Sequence, residues 1–209
     1  MPREPSPTSD EPAYIRNFKT YTQSDPTLED LKSLEEEMFG ANDRAVAIML
    51  GAFMETALTK FIRIRFRQDL NSDERRAVYD YDGPLGTFAA KIAIAYAMAT
   101  IGPLTRDDLD LIRIIRNGFA HSRKSIKFDD TETVVICAKL QTPDLEDAKT
   151  PVKGYAMVLE PDWLAHSDRT KPQIRYRIAV HTISAKMLKV RSRYEMAHLL
   201  KPLTTSDLP

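Results

Sequence analysis

The chain has 209 residues, 43% of them apolar and 29% charged, which suits one soluble domain with a hydrophobic core or two very small ones. Lysine plus arginine and aspartate plus glutamate both number 30, so no global basic field is available to hold nucleic acid, although a local patch is not excluded. One cysteine, Cys137, excludes an internal disulfide framework and any all-thiolate metal site. No apolar run approaches the ~20 residues of a membrane span. The start, Met1-Pro2-Arg3-Glu4-Pro5-Ser6-Pro7, lacks the apolar stretch of a secretory signal. The expected compartment is the cytoplasm, with no membrane partner.

Residues 1–26 carry Pro2, Pro5, Pro7, Pro12 and Pro26 among polar residues, a composition that predicts a mobile arm, pinned at most by Tyr14, Ile15, Phe18 and Tyr21. Thr27 opens a short helix with Leu28, Leu31, Leu34 and Met38 on one face, ending at Gly40. Asn42 or Asp43 then caps a long helix to about Gln68. Its stripe Val46, Leu50, Phe53, Ala57, Phe61 and Ile64 steps by threes and fours, and a second apolar flank makes it the central helix. Gly51 inside it points to a close helix crossing.

Tyr81-Asp82-Gly83-Pro84 reads as a turn, and Thr87 to Ile101 as an alanine-rich helix stopped by Gly102-Pro103. Thr105-Arg106-Asp107-Asp108 resembles a capping box for a helix running to about Ser122. Thr133 to Cys137 has strand composition, but Asp129-Asp130-Thr131-Glu132 before it favours a helix. Residues 141–172, with Pro143, Pro151, Pro161 and Pro172, read as a long irregular connection holding at most one short strand near Tyr155–Leu159. A last helix spans roughly Gln173 to Leu200. The expected fold is all-α: a bundle of four to five main helices in one domain, 27–201, followed by the tail 202–209.

The helix ending near Ser122 carries the chemistry. Arg106, Asp110, Arg113, Asn117 and His121 form one polar stripe, opposite Leu109, Ile112, Ile115 and Phe119. Arg116 lies beside the stripe. It diverges from His121 by about 140°, so the two converge only if the helix end relaxes near Gly118 or meets a second molecule. Arginine followed by a polar residue and, five positions on, histidine resembles the motif of the HEPN superfamily of small helical bundles. That resemblance implies dimers with facing motif helices and, in nuclease members, metal-free RNA cleavage. Histidine would then carry the proton and arginine the phosphate charge. Under that reading Arg116, Asn117 and His121 are catalytic.

A longer stretch resembles a narrower group. Gly83-Pro84-Leu85-Gly86-Thr87-Phe88-Ala89-Ala90-Lys91-Ile92, Ala95-Tyr96-Ala97-Met98, and Asp110 through Ser122 with Arg116-Asn117-Gly118-Phe119-Ala120-His121 at its centre are similar to the mannitol operon repressor family. Phe128-Asp129-Asp130, Cys137 and Leu140 continue the likeness, over about residues 40 to 140. It implies a non-enzymatic, all-helical transcriptional regulator or adaptor without a helix-turn-helix, acting as a homodimer. The partner is then a protein or a nucleic acid, RNA before directly read DNA, and Arg113, Arg116, Asn117 and His121 form the binding face. The alternative is a metal-independent, toxin-like endoribonuclease. No metal or cofactor is expected, because the sequence has no metal-ligand spacing, glycine-rich phosphate loop or dinucleotide fingerprint.

Arg63, Arg65 and Arg67 read as a solvated face rather than a basic patch; Lys186, Lys189, Arg191 and Arg193 make a slightly better patch. His181 reads as a core residue. His166 and His198 have no ligand partners, and Trp163 reads as an anchor for the irregular connection.

Overall fold

A computed structural model describes residues 12–22, 25–80, 82–141 and 171–200. Among them are eight helices and no strand: α1 (Ala13–Thr22), α2 (Leu28–Glu37), α3 (Asp43–Arg63), α4 (Ser72–Tyr79), α5 (Phe88–Ala97), α6 (Pro103–His121), α7 (Thr131–Ala138) and α8 (Pro172–Leu200). The all-α bundle is as the sequence predicts. The expected irregular connection, its strand near 155–159, Trp163 and His166 lie outside the described residues.

Local chemistry sets most boundaries. Thr27 caps α2 in a full capping box with Asp30, and Asn42 accepts the Ala45 N–H to open α3. Gly40 closes the α2–α3 turn at φ 73°, the left-handed region open to glycine. After α5, Ala99 takes φ 53°, and Thr100 fastens the turn by donating its N–H (3.0 Å) and hydroxyl (2.8 Å) to the Ala95 carbonyl.

Beside α3 and α5, which end at Arg63 and Ala97 rather than near Gln68 and Ile101, three elements differ from the expectation. Inside the predicted arm, Ala13–Thr22 is helical, with Tyr14 and Phe18 exposed. The helix α4 has no apolar stripe and buries no residue, so hydrophobic periodicity gives no sign of it; a capping box from Asn71 and Glu74 starts it. Finally, α6 begins at Pro103 behind Gly102, without a side-chain cap, so Thr105 lies within the helix rather than capping it. Proline needs no N–H partner at a first turn, which explains the earlier start.

Helix α3 is the hub, packed against α5, α6 and α8. It is long and apolar enough to cross a membrane by length and composition. Its buried residues Val46, Ala47, Leu50, Met54, Leu58 and Ile62 instead join one core with Ile92, Leu109, Ile112, Ile115 and Tyr176. A stack of aromatic rings closes one end: Phe119 to Phe128 at 4.9 Å and Phe128 to Tyr176 at 5.4 Å between centroids. Under α2, Arg177 of α8 donates to the Glu35 carboxylate (2.7 and 3.0 Å) and to its backbone carbonyl (3.1 Å). Burial pushes the Glu35 carboxyl up, and the Arg177 charge and hydrogen bond pull it back.

Gly51 marks the α3–α6 crossing. A Cβ there would stand 2.7 Å from Cβ and Cγ of Arg116 and 3.0 Å from the Tyr176 hydroxyl. A Cβ on Gly118 would meet no atom of the described residues within 4 Å. The two glycines should therefore respond oppositely to alanine. In urea unfolding, Gly51→Ala is expected to lose ~1–3 kcal/mol through overpacking, despite better helix propensity. Gly118→Ala should gain up to ~1 kcal/mol. A Gly51→Ala protein as stable as wild type would contradict the close crossing.

Candidate functional site

The motif arginine points into the protein. Because Gly51 has no side chain, the stem of Arg116 lies across α3, and its guanidinium reaches Glu55 one turn further along that helix. Nη2 of Arg116 donates to Oε2 of Glu55 in a short charge-assisted bond, while Nη1 donates to Oδ1 of Asn117 at 2.9 Å. The other Glu55 oxygen, Oε1, accepts from Nζ of Lys91 on α5 at 2.7 Å. The Phe88 ring lies 5.8 Å from the guanidinium carbon.

These three charged side chains keep little exposure: 10% for Lys91, 18% for Glu55 and 24% for Arg116. One carboxylate thus serves two cations where α3, α5 and α6 meet. Nε of Arg116 is buried without a hydrogen-bond partner among the described residues.

The outer stripe of α6 behaves differently. Arg113 donates from Nε (3.1 Å) and Nη2 (3.0 Å) to one oxygen of Asp110. Arg106 turns to Asp107 at 2.7 Å and covers the Tyr96 ring at 4.6 Å. Asn117 is half-buried and His121 exposed. The helix stays regular through Gly118 to His121, and Ser122 N–H closes it onto the Gly118 carbonyl at 3.1 Å. Arg116 and His121 are therefore not brought together within one chain. Arg113, Asn117 and His121 do share the outward face.

The end of α6 is fastened from α3. Nη2 of Arg44 donates to the carbonyls of Ser122 (3.0 Å) and Lys124 (2.8 Å). Asp43 accepts the Phe128 N–H at 2.8 Å and the Gln173 side-chain amide at 2.7 Å.

Sequence reasoning did not single out Glu55 or Lys91. A signal was present: Glu55 is the sole carboxylate between Asp43 and Asp69, and Lys91 the sole charge in α5. A lone charge inside an apolar helix needs a partner when it is buried. The expected solvated face at Arg63, Arg65 and Arg67 is occupied locally. Arg63 approaches Asp25 at 3.7 Å, Arg65 donates to the Phe61 carbonyl at 2.9 Å, and Arg67 pairs with Asp69 at 2.5 Å. His181 is buried in α8, as a core histidine should be. The side chains of Arg191, Arg193 and His198 lie outside the described residues. Among the described residues no group of three or more His, Cys, Asp or Glu is placed to hold a metal ion. No family model, curated protein or solved structure matches the chain.

Arg116 and His121 should therefore differ in what they do for the fold. Arg116→Ala leaves Lys91 and Glu55 to rearrange in a poorly solvated site, and should lower stability by ~2–3 kcal/mol, the scale of a lost hydrogen bond between charged groups. His121→Ala should stay within ~1 kcal/mol of wild type, as surface changes do. Denaturant titration of the two variants checks this; equal losses would contradict the inward and outward assignment.

Proposed function

We propose that this chain is a non-enzymatic regulator or adaptor, as its resemblance to the mannitol operon repressor family implies. It works as a homodimer, and the outer face of α6, with Arg113, Asn117 and His121, meets its partner. One observation carries the preference over a nuclease: the Arg116 guanidinium is bound by Glu55 and Asn117 of its own chain. The RNA cleavage that the arginine–histidine motif implies needs its guanidinium fork open to the phosphate and a proton carrier at the same reacting atoms. Here the arginine is engaged at the α3–α6 crossing, with 24% of its side chain exposed, while the histidine faces solvent. The pairing of Arg113 with Asp110 gives the outer stripe alternating charge, which suits contact with a second protein surface of similar character.

Total RNA incubated with the protein in EDTA tests the enzymatic question. Wild type and His121→Ala should leave the RNA equally intact. Cleavage by wild type that disappears in His121→Ala would establish the nuclease instead. Light scattering at micromolar concentration should give about twice the 23.8 kDa chain mass; a monomer would remove the dimeric part of the proposal.

A further inference from the structure

Equal numbers of basic and acidic residues hide an uneven placement of charge. Among the described residues most cations have an internal partner. Lys60, Arg63, Arg67 and Arg106 pair with carboxylates, while Arg44 and Arg175 are directed at backbone carbonyls. The segment following α6 is the exception. His121-Ser122-Arg123-Lys124-Ser125-Ile126-Lys127 holds no acid, and His121, Arg123, Lys124, Ser125 and Lys127 are all exposed. Among the described residues the side chains of Arg123, Lys124 and Lys127 make no ion pair; the exposed Lys139 and Lys171 make none either, but they lie apart from this segment in sequence.

Among the described residues, Asp43, Asp129 and Asp130 lie beside this segment. Asp43 is taken by Phe128 and Gln173, and Asp130 accepts the Lys127 backbone N–H at 2.9 Å. Asp129 is exposed.

The segment is also held in shape. Arg44 grips two of its carbonyls, and the Ser122 hydroxyl both donates to the Lys124 carbonyl (3.0 Å) and accepts its N–H (3.1 Å). Phe128 closes it by packing between Phe119 and Tyr176. The cations therefore project from a fixed backbone, which reduces the ordering entropy of binding a regular array of negative charge. Ile126 is half-buried and Phe128 buried, so apart from the imidazole of His121 at its start the loop exposes no ring for an unpaired base to stack on. Three fixed, unpaired cations beside a single small ring suit phosphates before bases.

We propose that His121 to Lys127 is a docking loop for the phosphodiester backbone of duplex nucleic acid, with Arg123, Lys124 and Lys127 supplying the phosphate contacts. It rests on the regulator reading only in leaving the bound nucleic acid uncleaved, and the loop reads no sequence.

Fluorescence anisotropy of the full chain with a labelled duplex of about 20 base pairs, titrated at several salt concentrations, tests the proposal. Each phosphate contact contributes about 0.9 to the slope of log affinity against log salt. The triple variant Arg123→Gln, Lys124→Gln, Lys127→Gln should lower that slope by about 2–3 and keep the wild-type melting temperature. A control triple at exposed, paired cations elsewhere, Lys32→Gln, Arg67→Gln and Arg76→Gln, should leave the slope unchanged. Equal slopes for wild type and the loop variant would overturn the proposal, as would equal loss in the control. Tighter binding of a single strand of the same length, or binding of polyglutamate with none of duplex, would also overturn it. So would a loop variant that only melts earlier, since the cations would then serve the negative end of α6. Failure here leaves the non-enzymatic reading standing, because that is read from RNA integrity.

Discussion

Where α3, α5 and α6 meet, a single carboxylate stands between two cations. Glu55 holds Arg116 with one oxygen and Lys91 with the other, in a place with little water. Such a cluster adds little net stability, because withdrawing three charges from water offsets most of their attraction. Its consequence is geometric. Removing one member leaves the others poorly solvated, so these helices are held to the arrangement in which all three side chains meet. Gly51 is part of the same constraint: only a residue without Cβ lets the Arg116 stem cross α3 at this height. The two faces of α6 follow from it. Arg116 is drawn inward, Asn117 is turned by its bond to Nη1, and Arg113, Asn117 and His121 remain on the outside.

A second set of contacts fixes where that outer face ends. Arg44 and Asp43, on the first turn of α3, hold the segment beyond His121, and Phe128 seats it against α6 and α8. The same central helix therefore controls both the buried end of the motif and the exposed loop after it. Near-neutral net charge is compatible with a concentrated positive surface, because local ion pairs account for many of the other cations.

Much of this arrangement is legible in the sequence. Steps of four and seven in Val46, Leu50, Ala57 and Phe61 reveal α3, and threes and fours in Leu109, Ile112, Ile115 and Phe119 reveal the buried side of α6, since burial leaves a helical period. Gly51 signals the crossing because glycine is costly within a helix and is kept where backbone or side chain passes close. The partner of Arg116 is less visible. Glu55 lies 61 positions away, and no local pattern says which arginine it will meet. The helix α4 is hidden for another reason: with no buried face, only its cap distinguishes it from a loop. The division of Arg116 and His121 between two sides follows from helix geometry, but that Arg116 stays on its own side depends on Glu55, which only the folded chain places there.

The most direct test of this account is a double-mutant cycle between Glu55→Gln and Arg116→Gln, read by urea unfolding with circular dichroism. If Glu55 holds the motif arginine as an internal partner, the two losses should fall short of adding, with a coupling of ~1–3 kcal/mol. Losses that add to within ~0.5 kcal/mol would contradict the account, because Arg116 would then be free to serve a ligand and its inward direction would need another explanation.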